Sequence, residues 1–208
     1  MPARILPQDY EMISWIISLK HAFPGLWNKI ESANGALFKI RWRNIEHITS
    51  ETIKDYAPEG FVFSLIGQDD IPALSEFLET QPEDSFQYFR PHLFDTGTLG
   101  RLWRNKSFLM MKVTDTEGKM AGYFFLRCFF IGVAFAGLIV DKDLQNMGLG
   151  RRIWASCMRV CDLAHLRMFA TVSASNVPSL KSCSHGTVMK VFRRMKKDYL
   201  LIECKIKQ

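Results

Sequence analysis

The sequence contains no hydrophobic run long enough to cross a membrane. Its longest apolar runs, Met12 to Leu19 and Tyr123 to Phe130, are much shorter than the roughly 20 residues that a membrane-spanning helix needs. The N-terminus carries Asp9 and Glu11 just before its short apolar stretch and lacks a small-residue cleavage site, so we predict no secretory signal. These absences favour a cytoplasmic protein with no membrane partner.

Cysteine is also scarce, and its spacing excludes the usual structural roles. The five cysteines are an odd number, include no Cys-x-x-Cys pair and stand beside no second cluster at zinc-ligand spacing. The sequence therefore predicts reduced, mostly buried thiols and no metal site. These cysteines are Cys128, Cys157, Cys161, Cys183 and Cys204.

Acidic residues are few near the C-terminus. Seven Lys or Arg against two Asp or Glu in the last 23 residues supply +5 of the net charge of +6. Because these charges alternate with apolar residues, they are typical of the solvated face of terminal strands, although such a field also attracts an anionic cofactor or substrate. No recognition helix or aromatic stacking motif accompanies the charge, so we predict no nucleic-acid partner.

A length of 208 residues with 48% hydrophobic content is typical of one globular domain with an extension. Residues 1–57 are predicted to form that N-terminal extension or a small lobe. We expect a helix from about Asp9 to Ala22 and a turn at Asn34-Gly35. A strand is expected at Phe38 to Arg43, where apolar and basic residues alternate.

The pattern is more regular in residues 58–208. A strand leads into an amphipathic helix after Asp69-Asp70, a loop-rich segment ends in a short helix at Leu99 to Asn105, and two more helices begin near Arg151 and Asn176. We predict an α/β fold with a mixed, mostly antiparallel sheet flanked by helices. The predicted strands are Phe61 to Ile66, Ser107 to Thr114, Met120 to Phe130, Val133 to Val140, Phe169 to Ser173, Val188 to Phe192 and Tyr199 to Ile206.

Arg127 lies among aromatic residues in the predicted strand Met120 to Phe130. Under period-two alternation Arg127 shares one face with Tyr123, Phe125 and Phe129, and the intervening residues share the other face. Because one face must meet the core, Arg127 either lies at an edge or pairs with an anion, which includes an acidic substrate.

A glycine turn connects a strand that ends at Val140 to a helix that begins near Arg151. Gly148 and Gly150 allow a tight turn whose N–H groups approach a ligand, and the helix N-terminus with Arg151 and Arg152 adds positive charge. This arrangement is an anion cradle. It lacks the Lys-Ser/Thr ending of a nucleotide triphosphate loop and follows a meander, which disfavours phosphoryl-transfer and dinucleotide sites. A glycine turn without any cofactor remains the alternative.

The spacing Gln145-x-x-Gly148-x-Gly150 resembles the coenzyme A signature of the GNAT superfamily of acetyltransferases, Q/R-x-x-G-x-G/A. The resemblance covers about residues 61–208 and implies a GNAT acetyltransferase domain at 58–208 with acetyl-CoA as its cofactor. It implies that the strand before the signature splays from its neighbour and binds the pantetheine arm through Leu138, Ile139 and Val140. The signature's amides would bind the pyrophosphate, and they belong to Gln145, Asn146, Met147, Gly148, Leu149, Gly150 and Arg151.

A second landmark stands 31 residues after Gln145. Asn176, followed by Ser179 and Leu180, resembles the N-x-x-A/S-hydrophobic segment of the same family, whose Asn commonly hydrogen-bonds the cofactor arm. By this resemblance Asn176, Ser179 and Ser182 join the predicted cofactor site.

The catalytic residues depart from the family's pattern. Cys183 stands where many members have the Tyr that protonates the departing thiolate, so the acid is Cys183, or Ser182 or Ser184 through a water, with a buried packing thiol as the alternative. No acidic residue occurs from Met120 to Val140. The best candidates for the base that an attacking amine requires are therefore His92 and Asp95, with Glu203 behind them and a loop cap as the alternative.

These resemblances predict an N-acetyltransferase that moves an acetyl group from acetyl-CoA to a primary amine by direct attack, because no nucleophile-base pair is evident. The aromatic and basic run from Tyr88 to His92 favours a small acceptor, such as an amino sugar, sugar nucleotide or amino acid. A protein N-terminal or lysine amine and a non-catalytic acyl-CoA-binding module are the alternatives. Residues 1–57 would cover the acceptor side, form a partial second copy of the fold, or mediate a dimer contact, and the protein would be a monomer or homodimer.

Overall fold

The computed structural model describes residues 24–185, 187–195 and 197–207, so the helix predicted from Asp9 to Ala22 lies outside the described residues. The helices are α1 (Pro24–Arg41), α2 (Ile45–Lys54), α3 (Ile71–Thr80), α4 (Thr96–Arg104), α5 (Leu149–Leu163) and α6 (Val177–Ser184). The strands are β1 (Phe61–Leu65), β2 (Phe108–Asp115), β3 (Met120–Phe129), β4 (Val133–Val140), β5 (Arg167–Ser173), β6 (Thr187–Arg194) and β7 (Tyr199–Ile206).

The described strands form one seven-stranded sheet in the order β1-β2-β3-β4-β5-β7-β6. Strands β4 and β5 are parallel, and the other neighbours are antiparallel. The parallel pair requires a crossover, which the glycine turn and α5 supply. The predicted α/β fold with a mixed, mostly antiparallel sheet is confirmed. Across the described ranges, no helix combines the length and hydrophobicity of a membrane span.

Helices cover both faces of β3. On one face Phe124 and Leu126 join a core that also contains residues of α2 and α5, such as Ile53 and Ile153. On the other face Tyr123 packs in a second cluster with residues of α3 and α4. This double burial explains why the strand is apolar at nearly every position.

Gly137 on β4 lies directly opposite Phe125 on β3. A Cβ atom on Gly137 would lie 2.5 Å from Cζ of Phe125, which is far inside van der Waals contact. The ring of Phe125 therefore occupies the space that a side chain at position 137 would fill.

The turn predicted at Asn34-Gly35 and the strand predicted at Phe38 to Arg43 are wrong, because α1 runs through to Arg41. Phe38 is fully buried, and its ring stacks on Trp42 with centroids 4.7 Å apart. These two aromatic residues are four positions apart, which is the spacing of one helix face. The segment is helical because burial of that face outweighs the strand preference that the alternating apolar and basic residues suggest.

Asn34 and Gly35 do not form a turn and instead contact the sheet and the segment that precedes β2. Asn34 Nδ2 donates to the Ser107 hydroxyl and to the Cys128 carbonyl, both at 2.9 Å. A Cβ on Gly35 would lie 2.6 Å from Asn105 Oδ1. Glycine at position 35 thus permits the close approach of α1 to the segment that precedes β2.

The N-terminal helices share the core of the sheet domain. Phe38, Ile45 and Ile53 belong to the same cluster of buried residues as β2, β3 and α5. The domain boundary predicted near residue 57 falls in the connector between α2 and β1, and the hydrophobic core continues across it.

An ion pair fixes α1 to β3. Arg127 pairs with Glu31, and its guanidinium also lies 5.9 Å from the ring centroid of Phe129. Burial lowers the pKa of Arg127 to about 10, so the side chain remains charged at neutral pH. Of the two alternatives predicted for Arg127, an edge position or an anionic partner, the structure shows an anionic partner, and the chain itself supplies it as Glu31.

We predict that Glu31→Gln lowers the free energy of unfolding by roughly 1–3 kcal/mol, because it removes the carboxylate that is paired with the largely buried charge of Arg127. Urea denaturation measures the loss. Glu46→Gln is the matched control, since Glu46 also pairs across elements, with Lys106 at 2.9 Å, but on the exposed surface. Equal urea midpoints for the two variants would contradict the prediction.

Candidate active site

Strands β4 and β5 separate after their first three residue pairs. Their pairing runs from Val133 and Arg167 to Phe135 and Phe169 and then stops, although each strand continues for several residues. Beyond this point, among the strands that the structure describes, β4 pairs only with β3, and β5 pairs only with β7. The splay that the resemblance implied is therefore present.

The strand register shows which backbone groups of β4 line this gap. Asp141 N donates to Ala121 O at 2.9 Å, which makes the odd-numbered residues of β4 the ones that bond to β3. The C=O group of Ala136 and the N–H and C=O groups of Leu138 and Val140 consequently point toward β5, beyond the last pair between the two strands, where no described strand receives them.

The opposite edge of the gap follows the same rule. Ala174 N donates to Asp198 O at 2.8 Å, so the backbone groups of Thr171 and Ser173 point toward β4. The backbone of Ile139, in contrast, pairs with Tyr123. The gap thus offers two facing rows of polar groups to an extended ligand that carries amides of its own.

A cavity of about 820 Å³ opens from this gap. It is bounded by β4, β5, the glycine turn, α6 and the loop that follows α3. All residues predicted to bind the cofactor line it, namely Leu138, Ile139, Val140, Gln145, Asn146, Met147, Gly148, Leu149, Gly150, Arg151, Asn176, Ser179 and Ser182.

The glycine turn has the backbone geometry of an anion cradle. Gly148 has φ of +83° and immediately precedes α5, a left-handed conformation that favours glycine. Asn146 is also left-handed, with φ of +66°, which asparagine tolerates better than most residues. Arg152 N donates to Gly148 O at 3.1 Å, so the earlier N–H groups of α5 remain available at the positive end of the helix.

Helix α6 starts beside the gap and runs past the glycine turn. The carboxamide oxygen of Asn176 caps it by accepting from Ser179 N at 3.1 Å. A Cβ on Gly150 would lie 3.5 Å from Ser182 Oγ, so the first turn of α5 packs closely against α6. The two motifs predicted from the sequence therefore meet on one cavity wall.

Cys183 packs in the core and does not line the cavity. It is 1% exposed, and its Sγ lies 3.4 Å from Met189 Sδ. Contact with Cys183 and burial raise the pKa of the Cys204 thiol far above its usual range. This placement matches the packing alternative more closely than the role of acid, while Ser182 does line the cavity.

His92 and Asp95 also lie outside the cavity lining. His92 Nε2 lies 3.1 Å from the Tyr123 hydroxyl, whose pKa is raised by burial, so this hydroxyl stays protonated and can donate to the ring. Asp95 caps α4 by accepting from Thr98 N at 2.8 Å. That hydrogen bond lowers the pKa of Asp95 and makes it a weaker base.

Glu203, the third candidate base, is a buried residue of β7. It accepts from Arg167 Nε at 3.0 Å and lies 3.6 Å from Lys205 Nζ. It does not line the cavity. Its two basic neighbours keep the carboxylate in a structural ion pair.

Sequence reasoning missed several lining residues. Ala136 and Thr171 line the cavity at the gap between the strands. Lys181 and His185 line it beside α6, and Trp154 of α5 lines it next to the glycine turn. Lys181 belongs to α6 and His185 follows it directly, so the available signal for both was their nearness in sequence to Ser182, which was predicted to lie at the site. Nothing local in the sequence marks Thr171, because its position depends on where two strands separate.

A glycine-turn anion cradle beside a splayed parallel pair defines a class of acyl-transfer enzymes that hold an acyl donor by its diphosphate and pantetheine. A sequence model of the acetyltransferase (GNAT) family matches residues 72–186, more than half of the chain. The chain belongs to this family and is an acetyl-CoA-dependent N-acetyltransferase. No curated protein sequence matches it.

Solved structures share the fold at low identity. Ribosomal-protein-S5-alanine acetyltransferase from Vibrio fischeri is 16% identical with a TM-score of 0.58, covering 72% of this chain and 94% of that chain. AAC(6')-Ib, solved with paromomycin and acetyl-CoA, is 10% identical with a TM-score of 0.57 and the same coverage. Spermidine N-acetyltransferase from Vibrio cholerae, solved with CoA and spermine, is 13% identical with a TM-score of 0.53, covering 71% and 94%.

We predict that Gly148→Trp strongly weakens the binding of acetyl-CoA and of free CoA, because the indole would fill the cradle. Calorimetric titration of the purified protein should show micromolar binding that weakens by at least about tenfold in the variant. Gly118→Trp is the matched control, since Gly118 has φ of +84° and open space around it. Loss of affinity in both variants, or no binding by folded wild type, would contradict the prediction.

Proposed function

We propose that this chain acetylates the primary amine of a small molecule, such as an amino sugar, a sugar nucleotide or an amino acid. The observation that carries this proposal is that the loop between α3 and α4 bridges the cavity. Within that loop Asp84 accepts from Lys142 Nζ at 2.7 Å, and Tyr88 OH lies 3.3 Å from Ser175 Oγ. Lys142 follows β4 and Ser175 follows β5, so the loop bridges both sides of the gap.

The bridging loop limits the shape of an acceptor. Tyr88 and Phe89 wall the cavity that the gap opens, which favours a compact amine over the surface of a folded protein. Two of the structural relatives were solved with small amine ligands, paromomycin and spermine. That structures of this fold bind two such different small amines supports a small acceptor here. Another relative acts on a ribosomal protein. A protein N-terminal amine is therefore the alternative acceptor that must be tested.

The reaction we propose has one chemical step between donor and acceptor. The lone pair of the neutral amine attacks the carbonyl carbon of the acetyl thioester, a C–N bond forms and the C–S bond breaks. The amine loses one proton to water, and the departing thiolate gains one. The gap holds the two reactants in line, which supplies much of the rate through positioning.

We propose Tyr88 as the group that protonates the departing thiolate. Among the described residues it is the one tyrosine that lines the cavity. Its hydroxyl contacts Ser175, whose Oγ lies 2.7 Å from Ser173 Oγ at the edge of the gap. These hydroxyls connect Tyr88 to the gap, whereas Cys183 faces the core.

We predict that Tyr88→Phe lowers kcat about 100-fold, which is within the usual range for loss of a general acid, while the KM for acetyl-CoA stays close to wild type. Steady-state thiol release with the best acceptor measures both constants. Tyr56→Phe is the control, because Tyr56 packs against the main core and not in the cavity. An unchanged kcat in Tyr88→Phe would remove this residue from the mechanism.

An acceptor screen tests the proposed function directly. Thiol release from acetyl-CoA is followed with amino sugars, sugar nucleotides, amino acids and polyamines, and in parallel with peptides that carry free N-termini or lysines. We expect saturable turnover with a small amine. Turnover with peptides alone would establish the protein acetyltransferase alternative, and binding of acetyl-CoA without turnover on either set would establish a non-catalytic module.

The thiols support the predicted cytoplasmic location. All five cysteines are free and buried, and burial raises the pKa of Cys157 to about 12. A protonated, buried thiol reacts slowly. These side chains behave as small apolar residues in the core, which agrees with a protein of a reducing compartment.

A further inference from the structure

The loop that bridges the cavity, residues 81–95, is held both at the surface and against the core. Its contacts across the gap, made by Asp84 and Tyr88, are exposed, and exposed contacts stabilise a structure only weakly. Near the C-terminal end of the loop, His92 Nε2 lies 3.1 Å from the hydroxyl of Tyr123 on β3. Tyr123 is fully buried, so its contact with His92 attaches the bridging loop to the interior of the protein.

The imidazole of His92 packs among four aromatic rings, with centroid distances between 5.8 and 6.1 Å. These rings belong to Phe94, Phe108, Tyr123 and Phe125. Phe89, three residues before His92, packs on the last two rings at centroid distances of 6.3 and 6.4 Å and also lines the cavity. His92 and this wall of the cavity therefore share one aromatic support on β3.

The hydrogen bonds of His92 identify which ring nitrogen carries the proton. Nδ1 lies 2.8 Å from the carbonyl oxygen of Leu93, and because a carbonyl only accepts, Nδ1 is the donor. In the neutral ring Nε2 then has a lone pair, which accepts from the Tyr123 hydroxyl. Since this lone pair is engaged, it is not available to take a proton from an attacking amine. The contact that makes His92 a poor base is the one that attaches the loop.

We propose that His92 is a positioning residue, which fixes the bridging loop to β3 through the Tyr123 hydroxyl. It thereby holds Tyr88 and Phe89 at the cavity, although His92 itself lies outside the cavity lining. The proposal rests on the proposed function for its effect on turnover. The attachment of the loop, in contrast, is testable on the protein with no acceptor present.

Hydrogen–deuterium exchange tests the attachment of the loop directly. The amides of Ser85 and Gln87 are hydrogen-bonded within the loop, so their exchange rates report how often the loop opens. We expect His92→Ala to raise these rates about tenfold. His92→Gln should keep them near the wild-type values, because the Gln carboxamide oxygen can accept from Tyr123. His47→Ala, on the exposed surface of α2, is the control and should change neither rate.

Steady-state thiol release, with the small amine that the acceptor screen selects, measures the effect on the reaction. We expect kcat/KM for that amine to fall about tenfold in His92→Ala and to return to within about threefold of wild type in His92→Gln. The acid limb of the pH profile should be the same in wild type and in His92→Gln. If His92→Gln instead loses about 100-fold or more and the acid limb disappears, His92 is the base and the positioning role is wrong.

Tyr123→Phe shows whether His92 acts through the Tyr123 hydroxyl. His92→Ala should have a much smaller effect in the Tyr123→Phe background than in wild type, because the contact is already lost. Equal effects in both backgrounds would overturn the proposal, and so would unchanged exchange in His92→Ala. Faster exchange in that variant, with no turnover of any amine by wild type, would support the attachment of the loop and overturn the proposed function instead.

Discussion

The early end of pairing between β4 and β5 is the constraint on which the site depends. A sheet that opens after Phe135 and Phe169 leaves polar backbone groups on both edges of the gap, and such groups need partners. An acyl donor with amides in its arm can supply those partners. The glycine turn and α5 lie beside this opening, because the crossover between two parallel strands must start at the end of β4 and return to β5, and α6 lies there because it starts where β5 ends.

The cavity walls formed by the glycine turn and α6 were predictable because their determinants are local in sequence. Gln145 to Arg151 form one turn, and Asn176 to Ser182 form one helix, so spacing alone places their side chains and amides. The proposed catalytic side depends on contacts between distant segments. Tyr88 reaches the gap only because the loop after α3 crosses to Ser175. No periodicity of the sequence records that crossing, and the favoured candidates His92 and Asp95 lie in local packing and capping contacts instead.

In residues 24–57 the burial of apolar side chains determines a helix where the local sequence pattern predicts a strand. Alternating apolar and basic residues from Phe38 to Arg43 satisfy the rule for a strand, but Leu37 and Ile40 are largely exposed while Phe38 is fully buried. The helix buries the residues that lie four positions apart and leaves the rest to solvent. Gly35 contributes by its small size, since α1 approaches the sheet where any side chain would collide with Asn105.

The contact between Gly137 and Phe125 has a consequence for how this family can vary. The aromatic ring from β3 occupies the volume above the middle of β4, at the place where β4 turns away from β5. A larger residue at position 137 requires a smaller one at position 125, and a smaller residue at 125 leaves a void unless 137 grows. Substitutions at positions 125 and 137 are therefore coupled. We expect homologous sequences to change both residues together or neither.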